Sequence, residues 1–97
     1  MNMTDDTLRI THNPAANRFQ AELAGATAML EYRIAGNTVT IFHTLVPPEH
    51  RGQGVAAELA RTALDWARTQ SLRVVPQCSY IAAFMRRNRE YGDLLAD

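Results

Sequence analysis

The sequence predicts an α+β fold (mixed α/β): a four-stranded antiparallel meander plus a fifth strand parallel to strand four, with helices packed on the sheet. Three observations carry this reading. Before Pro47 and Pro48, four segments alternate apolar and polar residues and are separated only by short turn sequences, a spacing that makes consecutive strands antiparallel neighbours. After the prolines, apolar residues recur at intervals of three and four, the period of a helix lying on a core. A short β-branched run follows that helix, and a strand–helix–strand step of this kind is a right-handed crossover between parallel strands.

Each element has its own grounds. Thr7 to His12 alternates, with Leu8 and Ile10 on one face. Asn13, Pro14 and Asn17 are turn residues, because proline presets φ and asparagine tolerates positive φ. Arg18 to Leu23 alternates through Phe19, Ala21 and Leu23, and Gly25 ends it. Ala26 to Ile34 places Ala28, Leu30, Tyr32 and Ile34 on one face, and residues 35–37, Ala-Gly-Asn, form a hairpin signal. Thr38 to Val46 is rich in β-branched residues, as strands are. A helix is expected from Gln53 to Thr69, with Val55, Leu59, Ala63 and Ala67 on its buried stripe and an i,i+4 pair of Arg61 with Asp65 on its outer face. Leu72 to Val75 reads as the fifth strand, stopped by Pro76. Ser79 is placed to cap a second helix from Tyr80 to about Asn88, and a last turn ends around Leu94 and Leu95.

Composition narrows the function classes. The 97 residues allow one hydrophobic core, so 1–97 is expected to be a single compact domain. With 46% hydrophobic and 21% charged residues, disordered and fibrous classes are excluded. The formal net charge is +0, and all ten basic residues are Arg. That balance argues against a partner recognised by bulk charge, such as nucleic acid or an anionic membrane. A lone cysteine, Cys78, excludes an intramolecular disulfide framework and a Cys-rich zinc site, and a reducing compartment fits it. The polar, acidic start from Met1 to Asp6 is no secretory signal, and no apolar run approaches the roughly 20 residues of a membrane helix. A cytoplasmic location is therefore expected. His12, His50 and Cys78 lack metal-ligand spacing, so no metal is expected.

The informative segment runs from Val46 to Ala56: a strand end, two prolines, then Glu-His-Arg-Gly-Gln-Gly before an amphipathic helix. Backbone N–H groups at a helix N-terminus bind anions through hydrogen bonds and the helix dipole. Gly52 and Gly54 remove side chains from the approach and allow the positive φ that makes N–H groups converge. Arg51 adds positive charge. A diphosphate fits such a nest, although glycines in a helix-entry loop can also serve only to turn the chain. Two other phosphate motifs fail: there is no lysine for Gly-x-x-x-x-Gly-Lys, and residue 57 is Ala but the preceding strands form a meander rather than the βαβ unit that Gly-x-Gly-x-x-Gly requires.

Strand, Val46 to Ala56 and amphipathic helix together resemble motif A of the GNAT acetyltransferase superfamily, whose (Gln/Arg)-x-x-Gly-x-(Gly/Ala) signature matches Arg51, Gly54 and Ala56. The chain is closer still to the short, stand-alone branch of compact N-acetyltransferase-domain proteins. His43 and Thr44 precede the prolines, Pro76 to Tyr80 reads Pro-x-Cys-Ser-Tyr, and Tyr91 follows the last helix; Asn88-Arg-Glu-Tyr91 departs from the His-Pro-Glu-Tyr common there. The resemblance implies a GNAT-like fold over about residues 7–95. It implies that acetyl-coenzyme A (acetyl-CoA) places its pyrophosphate on the N–H groups of Arg51, Gly52, Gln53, Gly54, Val55 and Ala56. Its pantetheine arm would pair with backbone near Leu45 and Val46, as an added strand does.

Four side chains are candidates for the chemistry. A helix N-terminus favours the thiolate of Cys78, which the resemblance places beside the thioester as nucleophile or as acid; a buried structural cysteine is the alternative. Tyr80 is a candidate general acid or cofactor contact, or a packing residue. Alternation puts His43 on one face with Val39, Ile41 and Leu45, as a base or a core histidine. Glu31, on the neighbouring strand, is a second candidate base or the partner of an Arg. The leading expectation is an N-acetyltransferase acting on an amine. The alternative is a coenzyme A (CoA)-binding module with little turnover. A nucleic-acid binder using Arg86, Arg87 and Arg89 is disfavoured by the neutral charge and by the lack of interleaved aromatics. For a chain of this length the resemblance implies an acceptor side without the N-terminal helices that wall it off in larger GNAT domains, expected to be open or completed by a protein partner.

Overall fold

The computed structural model describes residues 8–96; Thr7, at the start of the expected first strand, lies outside them. Five strands form one sheet in the order β1-β2-β3-β4-β5: β1 (Ile10–Asn13), β2 (Arg18–Leu23), β3 (Ala26–Ala35), β4 (Thr38–Leu45) and β5 (Arg73–Pro76). The first three pairings are antiparallel, and β4 pairs with β5 in parallel. Helix α1 (Val55–Thr69) makes the crossover between β4 and β5. Helix α2 (Ser79–Arg87) follows β5, and a 3-10 segment, Arg89–Leu94, closes the chain back onto α1.

Among the described residues, the sheet is covered on one face only. Phe19, Ala21, Leu30, Tyr32, Val39, Ile41 and Val74 alternate onto that face and are at most 2% exposed. Against them α1 lays Leu59, Ala60, Ala63, Leu64 and Ala67, and α2 lays Ile81, Phe84 and Met85. Alanine at 60, 63 and 67 lets α1 approach the strands closely, while the larger side chains fill the flanks. The outer edges are tied as well: Arg61 of α1 sits over the Phe84 ring of α2, and the Tyr91 hydroxyl of the 3-10 segment donates to Asp65 Oδ1 of α1 at 2.9 Å. The opposite face, with Arg33, His43, Leu45, Arg73 and Val75, carries no helix and is exposed, as one side of an antiparallel sheet commonly is.

Local details depart from the sequence expectation for identifiable reasons. α1 begins at Val55 rather than Gln53, because Gly54 is left-handed and cannot be a helical residue. Arg61 pairs with Glu58 at i,i+3, not with Asp65, whose carboxylate is taken by Tyr91. Ser79 lies inside α2; Cys78, with extended backbone, occupies the capping position without a side-chain cap bond. β5 starts at Arg73 rather than Leu72, takes in Pro76 as its last residue, paired opposite Ile41, and stops there. Most consequential is β4: Tyr32 faces Ile41 while Glu31 faces His43, so Phe42 is an extra residue, a bulge.

Under the C-terminal half of α1 lies an aromatic cluster. The His12 ring stacks on Phe19 at 4.1 Å between centroids, Trp66 meets both edge-on, and His12 Nε2 is 2.6 Å from the Tyr32 hydroxyl. Burial holds the His12 imidazole below its ordinary value, because the charged ring loses water. The folded state thus binds fewer protons here than the unfolded chain. Its stability contribution is complete above about pH 6.5 and is lost as the pH falls through the lowered folded value. Urea unfolding between pH 7.5 and 5.5 is expected to show this loss in the wild type and a flatter profile in His12→Gln; equal slopes would remove His12 as its source.

Candidate functional site

The site begins where β4 ends. After Leu45 the chain passes Val46 and Pro47 into a 3-10 turn, Pro48–His50. The Arg51 N–H bonds back to the Pro48 carbonyl at 3.2 Å, and Arg51 Nε donates to the Val46 carbonyl at 3.1 Å. This side chain therefore clips the two ends of the loop together and leaves its charge beside the next residues. Gly52 and Gly54 follow at φ 80° and 84°, the left-handed region that L side chains occupy only at a cost. Those two reversals turn the chain into α1 with its first N–H groups facing outward. Glu58 is the first to bond within the helix, to the Gly54 carbonyl at 3.1 Å; the N–H groups of Val55, Ala56 and Ala57 have no helical acceptor.

These groups open into a cleft of about 240 Å³ lined by Val46, His50, Arg51, Gly52, Gly54, Val55, Ala56, Ala57 and Tyr80. Six of the eight expected cofactor-binding residues line it. Leu45 and Gln53 are exposed next to it. Pockets that enclose a small ligand run to roughly 300–1,000 Å³, so this cleft holds one portion of an elongated molecule. Tyr80 of α2 forms its far wall. Burial raises the Tyr80 phenol above its ordinary value, opposed by the charges of Arg87 and Arg61, so the hydroxyl keeps its proton at neutral pH.

From the cleft a gap runs between β4 and β5. Their pairing stops at Ile41 and Pro76, and the Cys78 N–H to the Ile41 carbonyl, at 3.0 Å, is the last bond joining the two strands' ends. β4 continues to Leu45 while the other chain bends away into α2. The backbone of β4 from Phe42 to Leu45 thus faces a space instead of a strand on that side. Cys78 sits at the closed end of the gap, half-buried, with Sγ 3.5 Å from Thr44 Oγ1.

The bulge at Phe42 corrects the reading of His43. One inserted residue reverses the alternation, so His43 does not share a face with Val39 and Ile41: it lies on the bare face, with 49% of its side chain exposed. There it meets Glu31, Nδ1 to Oε1 at 2.8 Å. The four candidate side chains therefore fall on two sides of the sheet, with Cys78 and Tyr80 on the helix side and Glu31 and His43 on the bare side. Sequence reasoning missed Thr44 and His50; that Thr44 turns inward follows only once the bulge is known. Among the described residues no group of three His, Cys, Asp or Glu side chains converges as a metal site would, and no helix is long and apolar enough to cross a membrane.

An anion nest, a strand edge left open beside it, a thiol and a phenol form a surface suited to an elongated, phosphate-bearing ligand with an amide-containing arm. A sequence model described as GCN5-related N-acetyl-transferase matches residues 18–94, and the chain belongs to that family. Its members carry acetyl transfer and generally use acetyl-CoA. Protein NATD1 of Bos taurus is 34% identical over 84 residues, covering 84% of this chain and 74% of the relative; Protein NATD1 of Danio rerio is also 34% identical over 84 residues, covering 84% and 76%. The NMR solution structure of a GCN5-like candidate N-acetyltransferase from Staphylococcus aureus superposes with a TM-score of 0.73 at 28% identity, over 92% of this chain and 88% of that one.

A Cβ at Gly54 would meet no atom within 4 Å, so its cost is purely conformational. Gly54→Ala is expected to lose about 1–2 kcal/mol for the left-handed backbone alone. In the same variant, pyrophosphate binding measured by calorimetry is expected to weaken at least tenfold. Wild-type affinity in the variant would show that the nest is not the anion site.

Proposed function

We propose that this chain is an acetyl-CoA-dependent N-acetyltransferase that acts on an amine acceptor. The observation that carries the reading is the continuity of the glycine nest with the gap between β4 and β5: one elongated donor can lay its diphosphate on the N–H groups of residues 52–57 and its amide-bearing arm along β4. Binding by Gly52, Gln53, Gly54, Val55 and Ala56 is through backbone, by Arg51 through charge, and by Leu45 and Val46 through strand-like pairing. This geometry leads the arm toward Cys78 and Thr44. Tyr80, protonated and facing the cleft, is suited to protonate a departing thiolate. Cys78 is suited to the same task or to take the acetyl group covalently. Glu31 and His43 are suited to receive the amine's proton.

One observation favours a second reading. The cleft lies on the donor side alone, while the acceptor side is a bare sheet face, as expected of a CoA-binding module with little turnover or of a subunit whose protein partner completes the acceptor side. A cytoplasmic setting, where Cys78 stays reduced, suits either reading. Acceptor-dependent release of CoA thiol separates them: tight binding without amine-dependent release favours the module.

For the transferase, Tyr80→Phe is expected to lower kcat about 100-fold, within the usual range for general-acid loss, with little change in acetyl-CoA affinity. If Cys78 is the nucleophile, intact-mass measurement after incubation with acetyl-CoA shows an acetyl adduct in the wild type and none in Cys78→Ala. No adduct in either, together with retained turnover in Cys78→Ala, would eliminate the covalent route and leave Tyr80 as the acid.

A further inference from the structure

On the bare face of the sheet, the His43 imidazole and the Glu31 carboxylate are hydrogen-bonded, Nδ1 to Oε1 at 2.8 Å. The bulge creates this contact by bringing His43 opposite Glu31 across β3 and β4. On the other side of Glu31 the register brings Arg18, but that guanidinium donates to Gln20 Oε1 at 3.0 Å and reaches Met29 Sδ at 4.0 Å. Arg33, the next charge along β3, lies over the Phe42 ring at 4.7 Å and donates to Gln77. Both cations are occupied elsewhere, and the Glu31 carboxylate is left to the imidazole.

A carboxylate can only accept hydrogen bonds, so the ring nitrogen facing it carries a proton. With Nδ1–H given to Glu31, a neutral ring holds its lone pair on Nε2. His43 is half-exposed, so Nε2 is reachable from the solvent side. The next residue, Thr44, points to the opposite face, where its hydroxyl meets Cys78 across the gap. His43 and Thr44 thus leave β4 on opposite faces, the imidazole on the bare face beside Glu31 and the hydroxyl beside the Cys78 thiol.

We propose that Glu31 is a positioning residue that fixes His43 as the Nδ1–H tautomer, so that His43 Nε2 takes the proton of a primary ammonium acceptor arriving over the bare face. This rests on the acetyl-transfer reading above. His43 Nε2 removes one proton from R–NH3+. The amine nitrogen then bonds to the thioester carbonyl carbon, and the C–S bond breaks. The leaving thiolate takes a proton from the acid on the helix side, Tyr80 or Cys78. The second proton of the attacking nitrogen restores that acid, and His43 passes its own proton to water. The products are an amide, a thiol and one proton in solution; Glu31 ends as it began.

Two measurements test this. Proton–nitrogen-15 correlation of the neutral imidazole in the full chain is expected to show His43 as Nδ1–H in the wild type and as Nε2–H in Glu31→Ala. A wild-type ring protonated on Nε2, or a ring unchanged by Glu31→Ala, overturns the proposal. In a double-mutant cycle, thiol release from acetyl-CoA is followed with a panel of n-butylamine, spermidine and lysine amide. His43→Gln is expected to lower kcat/KM about 100-fold and Glu31→Ala about tenfold, with the double variant no worse than His43→Gln, as for a residue acting only through another. Losses that multiply overturn the positioning role alone. A wild type that releases no thiol with any amine overturns the acetyl-transfer reading and the base role with it.

Discussion

The parting of β4 from β5 is the constraint on which the rest of the structure depends. Parallel strands joined by a helix would continue pairing if both ran on in register. Here β5 ends at Pro76, which has no N–H to give, and the Cys78 N–H closes the ladder on the Ile41 carbonyl. Everything beyond that bond follows from it. β4 is left with an unpaired edge, and open edges in folded proteins are otherwise covered or blunted. α2 starts at the fork, which carries Tyr80 across to face the start of α1. The glycine pair then sets the N-terminus of α1 at the mouth of the same gap. An open strand edge and a helix N-terminus are thereby adjacent, and the proposed extended donor would satisfy both.

The sheet also divides the chemistry. Both helices lie on one face, bury the core, and supply the cleft, the thiol and the phenol. The other face carries no helix among the described residues and presents the imidazole and carboxylate. The bulge at Phe42 is the device that makes this division: without the extra residue, His43 would point into the core and Thr44 away from Cys78. A single insertion in one strand thus moves a titratable ring to the solvent side and a hydroxyl to the donor side. The cost is local, one unpaired residue whose ring is covered by Arg33.

Much of this was legible in the sequence. The strand order, the crossover and the helix stripe follow from periodicities that the packed structure keeps, because alternation and three-and-four spacing encode which atoms leave water. The glycine nest was legible too, since positive φ before a helix leaves a compositional mark at Gly52 and Gly54. What escaped depends on contacts distant in sequence. The bulge has no signature in the run from Thr38 to Leu45, where every residue is compatible with a regular strand. The partner of Asp65 is Tyr91, on the far side of β5, so the helix-local rule that paired it with Arg61 was outcompeted by a hydroxyl at 2.9 Å. Ser79 was displaced from the cap because the N–H of the preceding residue is bound to β4, which fixes Cys78 in an extended conformation. Alternation also failed to reveal the Glu31–His43 contact, since it assigned the two residues to faces without the register shift.

The central claim is that the nest and the gap form one continuous donor site. A residue-by-residue NMR titration with CoA tests it most directly. The account predicts that amide shifts cluster on residues 51–57, continue along Phe42 to Val46, and end at Cys78. Shifts confined to the exposed Arg86–Arg89 segment, or none in these regions at saturating CoA, would contradict it.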